Sequence, residues 1–155
     1  MYIVVTNCTK EKLNRPAPAR ELYRGPSVRN MARVVEEARE KGIDVWLYII
    51  SARYGLVRED EVLDPYDETL GGRPLPEIKK WAKEVRLLEK FRELEGVIFL
   101  VASKNYYHAV EEATCEKEVY VLSRFRPSCG KWIKTGNFDK HKVLKNLLYS
   151  ESRHM

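Results

Sequence analysis

Val45-Trp46-Leu47-Tyr48-Ile49-Ile50 runs without a single charge and then stops at Ser51-Ala52-Arg53-Tyr54-Gly55-Leu56. A run this short and this continuously apolar predicts a strand covered on both faces, because a strand with one wet face alternates polar and apolar residues. That makes residues 44–50 a central strand of a parallel sheet. The polar, basic and aromatic residues at its end then matter, since open α/β sheets keep their ligand crevice at the carboxyl ends of the strands. A second polar knot, Asp64-Pro65-Tyr66-Asp67-Glu68-Thr69-Leu70, follows closely.

Three further runs read the same way: Tyr2-Ile3-Val4-Val5-Thr6, Gly96 to Ala102, and Glu118 to Ser123. Between them lie helical patterns. Pro26-Ser27 opens one whose apolar positions Val28, Met31, Ala32, Val35 and Ala38 hold helical spacing until Gly42. Leu75-Pro76-Glu77 opens a long one carrying Ile78, Trp81, Ala82, Val85, Leu88 and Phe91. Asn105 to Ala113 and Phe138 to Tyr149 complete the set, and Pro18 fits a first helical turn after Pro16. Residues 52–76, with Pro65, Gly71, Gly72, Pro74 and Pro76, read as one long loop; loops of that length in compact domains are usually functional or disordered, and its aromatic and charged content argues against disorder. Alternating strands and helices predict an α/β fold: a single domain with a mainly parallel four-stranded sheet between helices, a Rossmann-like three-layer arrangement.

A chain of 155 residues suits one domain with its own core. No stretch approaches the roughly 20 apolar residues of a membrane span, and the start lacks a basic flank, so a cytoplasmic protein is expected. Cys8, Cys115 and Cys129 are odd in number and far apart with no C-x-x-C pair, which predicts neither a disulfide framework nor a zinc site. No metal and no cofactor is expected. Abundant Lys, Arg and Glu, at 33% charged residues, resemble thermophile composition.

The net charge of +5 is concentrated in the tail. From Arg124 onward, eight Lys and Arg stand against Asp139 and Glu151, a net +6, which leaves the rest of the chain at −1. Arg124, Arg126, Lys131, Trp132 and Lys134, with Phe125, Phe138 and Tyr149 interleaved, form a candidate nucleic-acid-binding segment that combines cations with stacking faces. The alternative is a solvated helix face over core aromatics.

In the expected fold, four loops gather at one sheet edge. They bring Thr6, Asn7, Cys8, Thr9 and Lys10 from the first, Ser51, Arg53, Tyr54 and Gly55 from the second, Ser103, Lys104 and Tyr107 from the third, and Arg124 and Arg126 from the fourth. Hydroxyls, amides and cations of this kind bind phosphates and other anions. Asp67 and Asp64 are candidates for a general base or for hydrogen bonds to a sugar or base, and equally for turn-shaping. Cys8 lies beside Lys10 and Lys12, cations of the kind that activate thiols, although a buried inert thiol fits as well. His108, His141 and His154 read as surface or packing residues. There is no G-x-x-x-x-G-K-[ST] loop, G-x-G-x-x-G turn, H-E-x-x-H or G-x-S-x-G elbow, so ATPase, dehydrogenase, zincin and ordinary hydrolase readings lose support.

Four segments taken together, Cys8-Thr9-Lys10-x-Lys12, Pro16-Ala17-Pro18-Ala19-Arg20-Glu21-Leu22-Tyr23, Ser51-Ala52-Arg53-Tyr54-Gly55-Leu56-Val57 and Pro65-Tyr66-Asp67-x-Thr69-Leu70, resemble a family of uncharacterised prokaryotic and phage proteins with an S-A-[KR]-[YH]-G-L … P-Y-D-x-T-L signature. More remotely the chain is similar to the peroxide-stress YaaA proteins. The resemblance covers roughly residues 2 to 110. It implies an α/β domain connected with nucleic acid, often near base-modification systems, and nominates Thr9, Lys10, Arg20, Tyr23, Ser51, Arg53, Tyr54, Gly55, Tyr66, Asp67 and Thr69. The expectation that follows is a nucleotide or nucleic-acid phosphate on Lys10, Ser51 and Arg53, a base stacked on Tyr54 or Tyr66, and Asp67, Ser51 and Tyr54 as catalytic candidates. Two alternatives stand beside it: a non-catalytic, stress-related DNA- or RNA-binding protein, and an enzyme acting on a small acidic or phosphorylated metabolite.

Overall fold

The computed structural model describes residues 1–136 and 138–153; Asn137, at the end of the expected tail loop, and His154 lie outside them. In chain order the elements are β1 (Tyr2–Asn7), β2 (Ala17–Pro18), α1 (Ala19–Leu22), α2 (Pro26–Glu40), β3 (Val45–Ser51), β4 (Gly55–Arg58), β5 (Val62–Leu63), α3 (Leu75–Glu84), α4 (Leu87–Arg92), β6 (Val97–Val101), α5 (Lys104–Thr114), β7 (Val119–Ser123), β8 (Lys131–Lys134) and α6 (Lys140–Arg153).

The four apolar runs form the parallel centre of the sheet, and the sheet is larger than the sequence predicts. Its order is β4-β3-β1-β6-β7-β8, with β4 antiparallel at one edge and β8 parallel at the other, while β2 and β5 make a separate antiparallel pair. The expected count of four is thus corrected to six. Both additions are four-residue edge strands whose short sequences, Gly-Leu-Val-Arg and Lys-Trp-Ile-Lys, carry no local periodicity long enough to read. Burial follows the predicted logic: β1 is buried on both faces up to Asn7, and α2 packs with α6 while α3, α4 and α5 group together. Numbered by first appearance, the parallel strands run 2-1-3-4-5, a doubly wound order whose switch point lies between β1 and β6.

Local chemistry explains most boundaries. Pro26 occupies the first turn of α2, and Gly42, at φ 84°, closes it by donating its N–H to the Arg39 carbonyl. The long helix from Leu75 is broken rather than continuous, because Arg86 adopts the left-handed conformation at φ 56°. The expected loop of residues 52–76 contains β4 and β5.

The β7–β8 connection departs most from expectation. Parallel neighbours usually need a crossover of a dozen or more residues, yet residues 124–130 suffice here. Side chains hold the loop. A disulfide joins Cys115 to Cys129 with Cα atoms 5.0 Å apart, correcting the reading that these cysteines stay unpaired: fourteen positions of separation hide a proximity that only the return of the chain along β7 creates. Tyr107 supplies a second tie, its hydroxyl accepting the Cys129 N–H at 3.2 Å and bonding Ser128 Oγ at 3.1 Å.

Glu59 is the one charged side chain sealed in the described core. Arg39 grips it with both guanidinium nitrogens, Nη1 to Oε1 at 2.9 Å and Nη2 to Oε2, and the Leu47 N–H donates to it at 2.7 Å. Among the described residues no helix is long and apolar enough to cross a membrane.

Candidate functional site

The carboxyl ends of β1, β3 and β6 lie along one edge, where two clefts flank the end of β1. The first, of about 340 Å³, is lined by Cys8, Thr9, Lys10 and Lys12 after β1, by Asp67, Glu68 and Thr69 from the loop after β5, and by Tyr106 of α5. The second, of about 470 Å³, lies at the switch point: Thr6 and Asn7 face Ser103 across it, and the start of α2 and the segment from Phe138 to His141 close its sides. Consecutive residues, Asn7 and Cys8, therefore serve different clefts.

Hydrogen bonds fix this edge. Thr6 donates its hydroxyl to the Val101 carbonyl at 2.9 Å, and Asn7 Oδ1 accepts the Ser103 N–H at 2.8 Å, so β1 and the start of α5 are locked together. Thr9 Oγ1 donates to the Glu11 carbonyl and accepts the Gly25 N–H. A Cβ at Gly25 would stand 2.6 Å from the Thr9 side chain, so this close approach admits only glycine.

Behind the first cleft lies a buried hydroxyl network. Tyr66 Oη stands 2.8 Å from Ser51 Oγ and 2.7 Å from Tyr23 Oη, and all three residues are buried. Ser51 Oγ also accepts the N–H groups of Arg53 and Tyr54, closing the three-residue turn from β3 into β4, while Gly55 takes the positive φ that this turn requires. The Cys8 thiol shares a hydrogen bond with the Tyr106 hydroxyl at 3.2 Å and accepts the Ala52 N–H at 3.4 Å. Burial pushes the Tyr23 hydroxyl up to about 12. Burial first, and the Cys8 sulfur next, hold Tyr66 and Tyr106 well above the ordinary phenol range. All three phenols are therefore neutral hydrogen-bonding groups near neutral pH and cannot serve as bases.

The structure thus divides the residues nominated from sequence. Cys8, Thr9, Lys10, Asp67 and Thr69 meet in the first cleft, and Thr6, Asn7 and Ser103 in the second. Ser51, Tyr23 and Tyr66 lie behind the first cleft with their hydroxyls engaged, so neither Ser51 nor Tyr66 presents a face to solvent. Tyr54 is half-buried, packs edge-on to Tyr66 and donates to the Asp64 carbonyl at 3.1 Å; Arg53 is exposed with its guanidinium 5.4 Å from the Tyr54 ring. Arg20 stands 4.0 Å from Glu59 and lines neither cleft. Lys104 begins α5 outside both, and Tyr107 is turned toward the β7–β8 loop. Arg124 and Arg126 are exposed on that loop. On β8, Lys131 pairs with Glu118 at 3.5 Å, Trp132 donates to the Ser123 carbonyl at 3.2 Å, and Lys134 is exposed.

Sequence reasoning missed Glu68 and Tyr106 in the first cleft, and Ser27, Asn30 and Lys140 in the second; it places Phe138 among the stacking faces of the basic tail rather than at this edge. Lys12 appeared in a quoted motif but not among the nominated residues, although its Nζ sits 4.5 Å from the Tyr66 ring centre. The available signal was the pairing of Lys12 with Lys10 after a strand. Nothing local marked the others. Among the described residues no group of three His, Cys, Asp or Glu is placed to hold a metal ion.

No curated protein matches the chain, and no solved structure does. A family model does match, over residues 3–127, which include all four quoted motifs, both tyrosines of the buried network and most of both cleft walls. The chain belongs to DUF6884, a family of unknown function.

Proposed function

We propose that this protein binds a nucleotide unit, free or within nucleic acid, at the carboxyl edge of its sheet and acts on the base or its glycosidic bond in the first cleft. One observation carries the reading: motif segments nearly 60 residues apart deliver two lysines, Lys10 and Lys12, and two carboxylates, Asp67 and Glu68, to one cleft, and no ion pair joins them among the described residues. Opposite charges left unpaired in a shared concavity have capacity for a ligand that carries an anion and donors together, as a nucleotide does. Lys10 and Lys12 supply the phosphate's counter-charge. Asp67, exposed at the rim, accepts a proton or hydrogen bond from base or sugar. Ser51 and Tyr66 support the wall from behind.

The test is binding of the purified chain to labelled single-stranded DNA, duplex DNA, RNA and free nucleotides at two salt concentrations. Lys10→Ala is expected to weaken binding and to lower the salt slope by about 1. Asp67→Asn is expected to retain binding and lose turnover. Absence of binding to every polymer and nucleotide at physiological salt overturns the proposal.

A second reading, a non-catalytic nucleic-acid-binding protein, is favoured by the exposed cations Arg124, Arg126 and Lys134 around β8, which form no ion pair among the described residues. Truncation after Ser123 does not test it, because α6 buries Leu144 and Leu148 in the core. Charge reversal at Arg126 and Lys134 does: under this reading affinity falls steeply while Lys10→Ala has no effect.

A further inference from the structure

The second cleft differs in chemistry from the first. Among the described residues no carboxylate lines it, its floor is apolar at Met31 and Val101, and its walls carry hydroxyls, amides, the Lys140 ammonium and the His141 imidazole. Its volume of about 470 Å³ lies within the range of small-molecule sites. Several donors around it are unused. Among the described residues the side chains of Ser27, Asn30 and Lys140 make no hydrogen bond or ion pair within the protein, and Asp139, next to Lys140, turns its Oδ1 to the Gly136 N–H at 2.7 Å instead. Pro26 at the head of α2 has no N–H to give, Gly25 provides no side-chain cap and the Arg29 N–H bonds the Gly25 carbonyl, so the N–H groups of Ser27 and Val28 are left without a side-chain cap in the turn whose Pro26 and Ser27 line the cleft. Phe138 leaves its ring 90% exposed on the rim. Half-burial holds the Lys140 amine below its ordinary range, with the neighbouring Asp139 carboxylate opposing that shift and the Arg124 charge adding to it. The cleft also occupies the switch point between β1 and β6, where doubly wound sheets place their ligands.

We infer that this second cleft seats a second nucleotide unit beside the one held in the first, with its phosphate on Lys140 and the first turn of α2 and its base stacked on Phe138 over the Met31–Val101 floor. The inference rests on the proposed function and extends it: the first cleft keeps the reacting nucleotide, with Lys10 and Lys12 on its phosphate, and residues outside the motifs hold its neighbour. The shared chemistry is a phosphate beside a planar base, and it has two sources: a free nucleoside monophosphate or one unit of a single strand.

Isothermal titration of the full chain with the four ribonucleoside monophosphates, with inorganic phosphate, and with a short single-stranded oligothymidylate tests this. Lys140→Ala is expected to weaken binding at least tenfold and Phe138→Ala severalfold, with Lys80→Ala on α3 as a charge-matched control that leaves affinity unchanged. Circular dichroism verifies that each variant is folded, and Lys140→Gln replaces Lys140→Ala if that variant is not. Binding of monophosphates identifies a free nucleotide; binding of the oligonucleotide alone identifies a strand. Inorganic phosphate binding as tightly as the nucleotides overturns the stacking assignment. Loss of binding in Lys10→Ala with full affinity in Lys140→Ala and Phe138→Ala overturns the inference while the proposed function stands. No binding by any probe removes both.

Discussion

The hydroxyls of Ser51 and Tyr66 meet 2.8 Å apart with both residues buried, and this bond ties the Ser-Ala-Arg-Tyr-Gly turn to the Pro-Tyr-Asp segment. Two motifs that look like catalytic loops are thereby parts of one internal brace. What reaches the cleft is the residue after the brace, Asp67, whose position depends on it.

Tyr66→Phe removes a hydroxyl that Ser51 and Tyr23 both use. Buried groups left without a partner each cost about 1–3 kcal/mol, so urea unfolding of this variant is expected to show a loss of that size with little change in m. A loss under about 0.5 kcal/mol would show that the network is slack.

Alkaline pH tests the same network through linkage. The folded-state pKa of Tyr23 is raised from 10.0 to about 12, and Tyr66 and Tyr106 move in the same direction. Between the unfolded and folded values the unfolded chain has released protons that the native state keeps. The stability from these groups is therefore complete below pH 10 and is lost as pH rises beyond it, by about 1.4 kcal/mol per pH unit for each tyrosine. Chemical denaturation from pH 9 to 11 measures the slope, and Tyr23→Phe is expected to reduce it; an unchanged slope in that variant assigns the effect elsewhere.

Arg39→Ala strands Glu59 in the core with only the Leu47 N–H and the more distant Arg20 for company. It also removes one of the two guanidiniums that lie over the Trp46 ring, each 4.5 Å from its centre. Breaking a buried pair from one side costs about 3–5 kcal/mol. Denaturant midpoints are expected to fall accordingly, and Arg39→Ala combined with Glu59→Gln is expected to recover part of the loss.

The Cys115–Cys129 bridge closes a small loop around β7, worth about 3 kcal/mol in the chain-entropy picture. Cys129→Ser is then expected to lower Tm by about 6–12 °C. Thiol titration of the native protein without reductant is expected to find one free thiol, Cys8. Three reactive thiols would mean that the bridge does not form in solution.

The sequence by itself determined the parallel centre. β1, β3, β6 and β7 are each apolar on both faces, a pattern only double-sided burial requires, and α2 carries its own start at Pro26 and stop at Gly42. It also singled out the edge where Cys8, Lys10 and Asp67 assemble, because strand ends can be read locally. Tertiary structure alone decided the rest. β4 and β8 exist by pairing with a neighbour rather than by any periodicity of four residues, and Arg86 breaks a pattern whose spacing continues straight through it. The functional meaning of individual residues also waited on the fold: Tyr66 and Ser51 turn inward to satisfy one another, whereas Phe138 and Lys140, more than 130 positions after Asn7, reach its cleft because α6 packs back onto α2. Burial patterns are encoded within each segment, but a cleft is made of residues from segments that meet only after the chain has folded.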